Sequence, residues 1–557
     1  MTLARLLDTT HPTNRARPPR RRVEGAGAQA TYRFKHALIQ DAAYESLLRS
    51  RRQPLHRRAA EALRDSGAEP EAIARHFTEA GLDDLAIEWW GKAGDQALRR
   101  SAFLEAIAHL GKAIAMADKA GGDRAAGAYA VLAPALEGFA PTPEMPEIAE
   151  AQALLAAFTE SDEVKADAAR RRQRRQLHVA YGNALFAARG PGAPETAQAF
   201  ARARESAVGD NAALERLSAD FGLWVGSYIR GELLAMRENS TAFLSDVEAR
   251  PDSPEASVAH RVAGITHWFA GEHREAQDHL ERALTLFQPG RDDDLAFRFG
   301  HDAGVAAMLC LALTLWPLGD IERAVSLVGD AEARSASLAH VATLAHGKQH
   351  AALFEMMRGD LSRVAPNALE LARLVREHEL PHWRAYGVFF EGLARAESGA
   401  PRGGLDEMRH GAELLRDRNA HSFDGLIKIA LSKAEARAGE VDRALGILDE
   451  ALTTCERTGH RTFEAELHRV RGEMLLKRDP ADPAPAEEAF LTAIVVARQQ
   501  GTRSFELRAA LSLANLYQST ARAVEAHAIL APALEGFSPT PEMPEIAEAI
   551  SLFERLA

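Results

Sequence analysis

The sequence predicts an all-α fold, a right-handed α–α superhelix of helical hairpins repeating about every 40 residues. Composition is the first observation behind this expectation. Aromatics are 6% of the chain and alanine is abundant; alanine is the best helix former, whereas strands draw on β-branched and aromatic residues. The second is a period. Gly-acid pairs stand at Gly271-Glu272, Gly319-Asp320, Gly359-Asp360 and Gly439-Glu440, with Gly399 between the last two, so the steps are 48, 40, 40 and 40 residues. A glycine ends one helix in the left-handed conformation, and the acid favours the positive end of the next helix. The third is a pairing of small residues. Seven positions before these glycines stand Gly264, Ala312, Ala352, Gly392 and Ser432; five positions after them stand Ala276, Ala324, Val364, Gly404 and Ala444. Small residues at matched points let consecutive helices approach closely. One such hairpin cannot bury its apolar face alone, so neighbours must stack.

Length and charge narrow the class. At 557 residues the chain exceeds one ordinary core, and 46% hydrophobic residues are enough for most of it to fold. A net charge of −12 argues against a general nucleic-acid binder, which carries a basic footprint. Two distant cysteines, Cys310 and Cys455, exclude a disulfide framework and fit a reducing compartment. No apolar run approaches the roughly 20 residues needed to span a bilayer. A cytoplasmic protein without membrane or nucleic-acid partners is the expectation.

Along the chain, residues 1–30 hold Arg15, Arg17 and Arg20 to Arg22 with prolines and little to bury, which predicts a disordered basic tail. Residues 31–80 read as a short extended piece and two helices, one over TYRFKHALIQDAAYESLL and one around LHRRAAEAL with Pro54 near its start. Residues 81–160 form the first hairpins and 161–557 the main array with a C-terminal capping helix. The text at 128–151 differs from that at 526–549 in three positions only. A terminal cap is therefore expected inside the array, near 144–158, with a break in the superhelix there.

The order small, small, Gly, Ala, large, Ala resembles the tetratricopeptide pattern. Its copies are Trp90, Ala93, Gly94, Ala106, Leu110 and Ala113; Gly264, Gly271, Ala276, Leu280 and Ala283; Gly472, Leu475, Ala486, Phe490 and Ala493; and Leu513, Ala514, Tyr517, Ala526, Leu530 and Ala533. The common tetratricopeptide period is about 34, against about 40 here. Longer stretches, YRFKHALIQDAAYESLLRSRRQPLHRRAAEAL, AIEWWGKAGDQALRRSAFLEAIAHLGKAI and the text from Ala465 to Ser519, resemble the C-terminal tetratricopeptide region of bacterial signalling proteins that join a class III adenylate/guanylate cyclase to a STAND- or AAA-type ATPase. The resemblance implies a regulatory tail that binds a protein or peptide on its concave face, with residues 31–80 as the segment that follows the ATPase core.

The chemistry of the absent head is not legible. A phosphate-cradling loop needs G-x-x-x-x-G-K-[ST]. Gly91-Lys92, Gly111-Lys112 and Gly347-Lys348 are not followed by Ser or Thr, and Ala86, Ala106 and Ala342 replace the first glycine. The sequence therefore reads as no enzyme, with no cofactor and no metal. A cyclase-family protein with nucleotide-dependent activity and a small-molecule-sensing solenoid stay open as alternatives. His346 and His350 share a helix face near His340, but the H-E-x-x-H glutamate is missing and no third ligand is evident. Arg170, Arg171, Arg172, Arg174 and Arg175 follow Asp162, Glu163 and Asp167, which reads as a solvated, ion-paired face. Cys310 in AAMLCLALTLW reads as a small core hydrophobe. The partner-binding candidates are the apolar strip Trp268, Trp316 and Met356, four positions past the small residue, and Ile265, Leu313 and Leu353, one position past it; packing between hairpins is the other reading of the same residues.

Overall fold

A computed structural model of the chain describes residues 48–100, 102–120, 162–207, 213–248, 250–378, 380–398 and 401–556. The basic tail at 1–30, the copy at 128–151 with its expected internal cap, and all but the last residue of the helix expected over 31–48 lie outside the described residues. The chain divides into two compact units, Met1–Ala184 and Leu185–Ala557, with the division inside a helix.

Unit 1 contains α1 (Arg49–Asp65), α2 (Pro70–Ala80), α3 (Asp83–Arg99), α4 (Phe103–Ala120) and most of α5 (Asp162–Arg189). α1 begins before the expected start, so Pro54 sits in its second turn. There it removes one N–H from the helix ladder. The α3/α4 pair carries the first tetratricopeptide-like copy: Trp90, Ala93, Ala106, Leu110 and Ala113 are all buried together with Ile73 and Phe77. A Cβ added to Gly94 would lie 2.4 Å from Cγ of Leu110, which explains the glycine there. The Trp90 indole donates to the Thr78 hydroxyl at 3.0 Å, so its polar atom stays satisfied.

Unit 2 continues with α6 (Pro194–Ser206), α7 (Ala213–Arg230), α8 (Leu233–Glu248), α9 (Pro254–Phe269), α10 (His273–Leu286), the single turn α11 (Leu295–Phe299), α12 (Ala303–Leu318), α13 (Ile321–Ser337), α14 (Val341–Arg358), α15 (Leu361–His378), α16 (Pro381–Glu397) and α17 (Pro401–Asp417). It ends with α18 (Asp424–Arg437), α19 (Val441–Thr458), α20 (Glu464–Arg478), α21 (Ala484–Gln500), α22 (Arg503–Ser519), α23 (Ala523–Leu534) and α24 (Glu545–Leu556). Consecutive helices pack in pairs from α7/α8 to α22/α23, and most first helices also meet the first helix of the next pair. α24 covers the open end of α22/α23 with Ile546, Ala549 and Leu552. Among the described residues the only non-helical pairing is an isolated bridge between Thr540 and Met543. The chain is an all-α, tetratricopeptide-like helical repeat protein.

The period read from the glycines is structural at Gly271, Gly319, Gly359 and Gly439, which all take a positive φ, while Gly399 lies outside the described residues. Gly319 closes α12 with φ 99°, a left-handed value that other residues avoid, and Asp320 then stands at the start of α13. The step of 48 residues rather than 40 between Gly271 and Gly319 is the room taken by α11 and its flanking turns. The matched small residues meet where α16 crosses α17: a Cβ on Gly404 would lie 2.4 Å from the Ala396 amide nitrogen and 2.5 Å from the Gly392 carbonyl oxygen. Backbone atoms cannot move aside as a flexible side chain does. Gly404→Val is therefore expected to lower unfolding stability by roughly 1–3 kcal/mol, the usual cost of overpacking. A urea midpoint equal to the wild type's would show that the two helix axes do not approach so closely.

Candidate functional site

The inner face of unit 2 is built from the first helices of the hairpins, and it does not stay open. Five hairpins after α7 the chain returns and packs on itself. The His421 amide before α18 donates to the Ile229 carbonyl near the end of α7 at 2.7 Å. The Arg461 amide and the Thr462 hydroxyl before α20 donate to Phe269 and Trp268 at the end of α9, at 2.9 and 2.7 Å. The Ser504 hydroxyl of α22 donates to the Trp316 carbonyl of α12 at 2.6 Å, across 188 residues of sequence. Arg508 of α22 donates to the Met357 carbonyl of α14 at 2.8 Å and also to Arg358. Arg358 in turn pairs with Glu542, just before α24, at 2.6 Å. The last four carbonyls of a helix have no partner inside it. In α7, α9, α12 and α14, some of these groups are satisfied by the following turn of the same solenoid.

This arrangement places the apolar strip. Trp268, Trp316, Met356, Ile265, Leu313 and Leu353 are all buried, Trp316 and Leu353 completely. Trp268 packs edge-on to Phe463 (5.6 Å between ring centroids) and tilted against Phe423. Trp316 lies between Phe505 and the guanidinium of Arg508, which stands 4.5 Å from its ring centre. These large residues form the contact between successive turns rather than an exposed surface. Of the six, Met356 alone also lines one of the two cavities described next.

Two cavities flank Phe463. One, of about 350 Å³, has a floor of Met356, Leu426, Phe463 and Phe505 and a polar wall of Lys433, Glu466, Arg469, Arg508 and Glu545, with Asn515 and Glu548 exposed beside it. Its charges are ordered. Arg469 grips Glu466 at 2.8 and 2.9 Å and also pairs with Glu473. Burial alone would push the Glu466 carboxyl up, but Arg469 and Arg508 outweigh it and hold the pKa at about 2. Burial lowers the Lys433 ammonium to about 8. The other cavity, of about 460 Å³, has charged walls of Arg230, Glu232, Asp424, Lys428, Glu450 and Arg457 and apolar surface from Phe269, Ala451 and Phe463.

A recurring tripeptide marks these positions. Ser422-Phe423-Asp424, Thr462-Phe463-Glu464 and Ser504-Phe505-Glu506 open α18, α20 and α22 at steps of 40 and 42 residues. The hydroxyls of the last two cap carbonyls of the preceding turn, and all three rings sit on the inner face. A search restricted to helix breaks and small residues passes over this signal.

The remaining candidates are placed as follows. His346 and His350 lie on α14 with ring centroids 3.9 Å apart, and His301 stacks on His346 at 4.0 Å. His350 bonds to the His346 carbonyl, and His340 to Thr343. Among the described residues, the one trio whose ligand atoms lie within 4.8 Å of one another is Glu71, Glu105 and His109 in unit 1. There Arg75 and Arg100 already pair with the two carboxylates. Arg170, Arg171, Arg172 and Arg174 are exposed on α5. Burial raises both Cys310 and Cys455 to about 12, which keeps the thiols protonated and unreactive at neutral pH. No described helix is long and apolar enough to cross a membrane.

No family model matches the chain. An uncharacterized protein of Rhizobium meliloti (strain 1021) is 25% identical over 504 residues, which are 89% of this chain and 44% of the relative. The chain thus spans less than half the length of the curated relative it matches. Among solved structures, a chain of the APC/C hetero-tetramer Cut9–Hcn1 is 14% identical with a TM-score of 0.33, over 87% of this chain and 75% of that one. Yeast Tom70 is 9% identical with a TM-score of 0.30, over 91% and 96%. A Rap protein complexed with competence and sporulation factor is 10% identical with a TM-score of 0.29, over 78% and 97%. These values describe distant likeness only.

Proposed function

We propose that unit 2 is a non-catalytic scaffold that binds a protein or peptide segment in the cavity beside Phe463. In this reading the chain is the regulatory tail of a bacterial signalling protein of the cyclase–ATPase type. The cavity carries the proposal: an apolar floor of Met356, Leu426, Phe463 and Phe505 is bordered by fixed charges of both signs and by the Asn515 amide. Such a lining suits a short segment that buries one or two apolar side chains while its polar groups meet the rim. The tail assignment draws on the resemblance of the long sequence stretches. It is supported by a relative that extends well beyond the matched region.

The test is affinity purification from bacterial lysate with the full chain and with a Ser512→Trp/Asn515→Trp variant, which fills the mouth of the cavity. A partner retained saturably by the wild type and lost from the folded variant is the expected result. Equal retention by both would move the binding face elsewhere. Cyclic nucleotide formed from ATP and a divalent cation by the purified chain would overturn the non-catalytic reading.

A further inference from the structure

The inner face of unit 2 also buries a cation to which the described residues offer no ion pair. Arg261 of α9 is 2% exposed, and its Nη1 donates to Nε2 of His301 at 2.7 Å. Its Nε and Nη2 are buried, and among the described residues neither finds a hydrogen-bond partner. No carboxylate of the described residues stands within ion-pair distance. The carboxylate that favours its charge, Asp302, is already engaged by Arg334 at 2.9 and 2.7 Å and by the Val305 amide at 2.8 Å. The guanidinium stands 5.4 Å from the Phe221 ring centre, a cation–π contact that supplies no hydrogen-bond acceptor to Nε and Nη2. An uncompensated buried charge is costly, and the cost falls when an anion with matching hydrogen bonds is supplied.

The unpartnered atoms are not scattered. Nε and Nη2 are the two nitrogens of one guanidinium edge, the edge that meets a carboxylate with two parallel hydrogen bonds. A second orphan lies nearby. Nε2 of His346 is buried without a partner, on the ring that stacks on His301 at an interplanar angle of 7°. Burial holds His301 and His346 well below the usual histidine range, so they are neutral polar groups at pH 7. One fixed positive charge among neutral imidazoles is balanced by a monoanion. A dianion such as phosphate would leave an excess buried charge.

We propose that Arg261 anchors a buried site for a small monocarboxylate, bound side-on by Nε and Nη2 next to the stacked imidazoles of His301 and His346. The site is separate from the cavity beside Phe463 and stands whether or not that cavity binds a partner.

The experiment is calorimetric titration of the full chain with propionate at pH 7.5, in carboxylate-free buffer with chloride at matched ionic strength. The expected result is a saturable heat for the wild type, with affinity at least tenfold weaker in Arg261→Met and in Arg261→Gln. Far-UV circular dichroism certifies that each variant is folded. The absence of a saturable heat with the wild type overturns the proposal, and so does equal affinity in a folded variant. Should both variants fail to fold, wild-type protein saturated with propionate decides: magnetisation transfer between the propionate methyl and imidazole protons supports the site, and its absence overturns it.

Discussion

Taken from pH 7.5 to pH 5, unit 2 is expected to lose roughly 4 kcal/mol of stability through His273 and His350 alone, a large fraction of an ordinary domain's stability. His273, His346 and His350 are buried and His301 is partly buried. Burial lowers His273 and His350 to about 4, and His301 and His346 well below the usual value. The sign follows from proton uptake. The unfolded chain protonates these groups near pH 6.5, whereas the folded chain protonates His273 and His350 only near 4 and keeps His301 and His346 neutral well below the usual range. Between those values the unfolded state holds more protons, so stability is full above 6.5 and falls as the pH drops. At pH 5, His273 and His350 each lie about 1.5 units below their unfolded pKa, which is about 2 kcal/mol per group, and His301 and His346 add to the loss in the same direction. Glu355, pushed up by burial to about 7, and Asp220, to about 6, run the other way and gain stability on acidification. The lowered histidines His260, His382 and His460 add to the loss. Thermal unfolding followed by circular dichroism from pH 7.5 to 5 measures the slope. His273→Leu sharpens the test, because both of its ring nitrogens are buried without a partner. The variant should be more stable than the wild type at every pH, and its pH slope should be smaller by about one proton. A flat profile in the wild type would contradict the burial of these rings.

Arg508→Ala is expected to cost about 3–5 kcal/mol, the range for breaking a buried charge pair from one side. The guanidinium is 7% exposed and joins three helices: it caps carbonyls at the end of α14, donates to Glu545 of α24 at 2.8 Å, and covers the Trp316 ring of α12. Its removal leaves two helix-end carbonyls short of a donor, and it also removes one of the two arginines that hold Glu466 ionised. Arg508→Lys keeps the charge but lacks the planar fork, so most of the loss should remain. Urea unfolding gives the magnitude. Small-angle scattering should show a larger radius of gyration if the two turns part. A variant with wild-type stability and dimensions would mean that Arg508 does not tie them.

The hairpins were legible in the sequence because their signals are local. Gly319 with Asp320, and Gly392 facing Gly404, act within one or two turns of helix, and the structure places them where the spacing put them. The return of the chain was not legible. A buried Trp316 and a Trp316 facing a partner have the same helical spacing, and only the pitch of the superhelix decides between them. That pitch follows from small rotations accumulated over five hairpins, to which each repeat contributes little. The strip was therefore open to two readings, a partner face or packing between hairpins, and Phe463 and Phe505 of the later turn fill it. The repeated Ser/Thr-Phe-acid tripeptide is the sequence trace of that closure. The Arg261 site was illegible for another reason: a lone arginine in VAHRVAG shows no sign that its carboxylate partner is missing.

The closure of one turn upon the next is tested most directly by hydrogen exchange at the amides of His421 and Arg461. Both lie just before a helix, where amides ordinarily face water and exchange quickly. Each donates to a carbonyl of the preceding turn, Ile229 or Phe269. Peptides spanning 420–424 and 460–464 should each retain deuterium-resistant amides for as long as the cores of α9 and α12. Exchange at the rate of a free helix start would show that the turns stand apart and that the apolar strip is open after all.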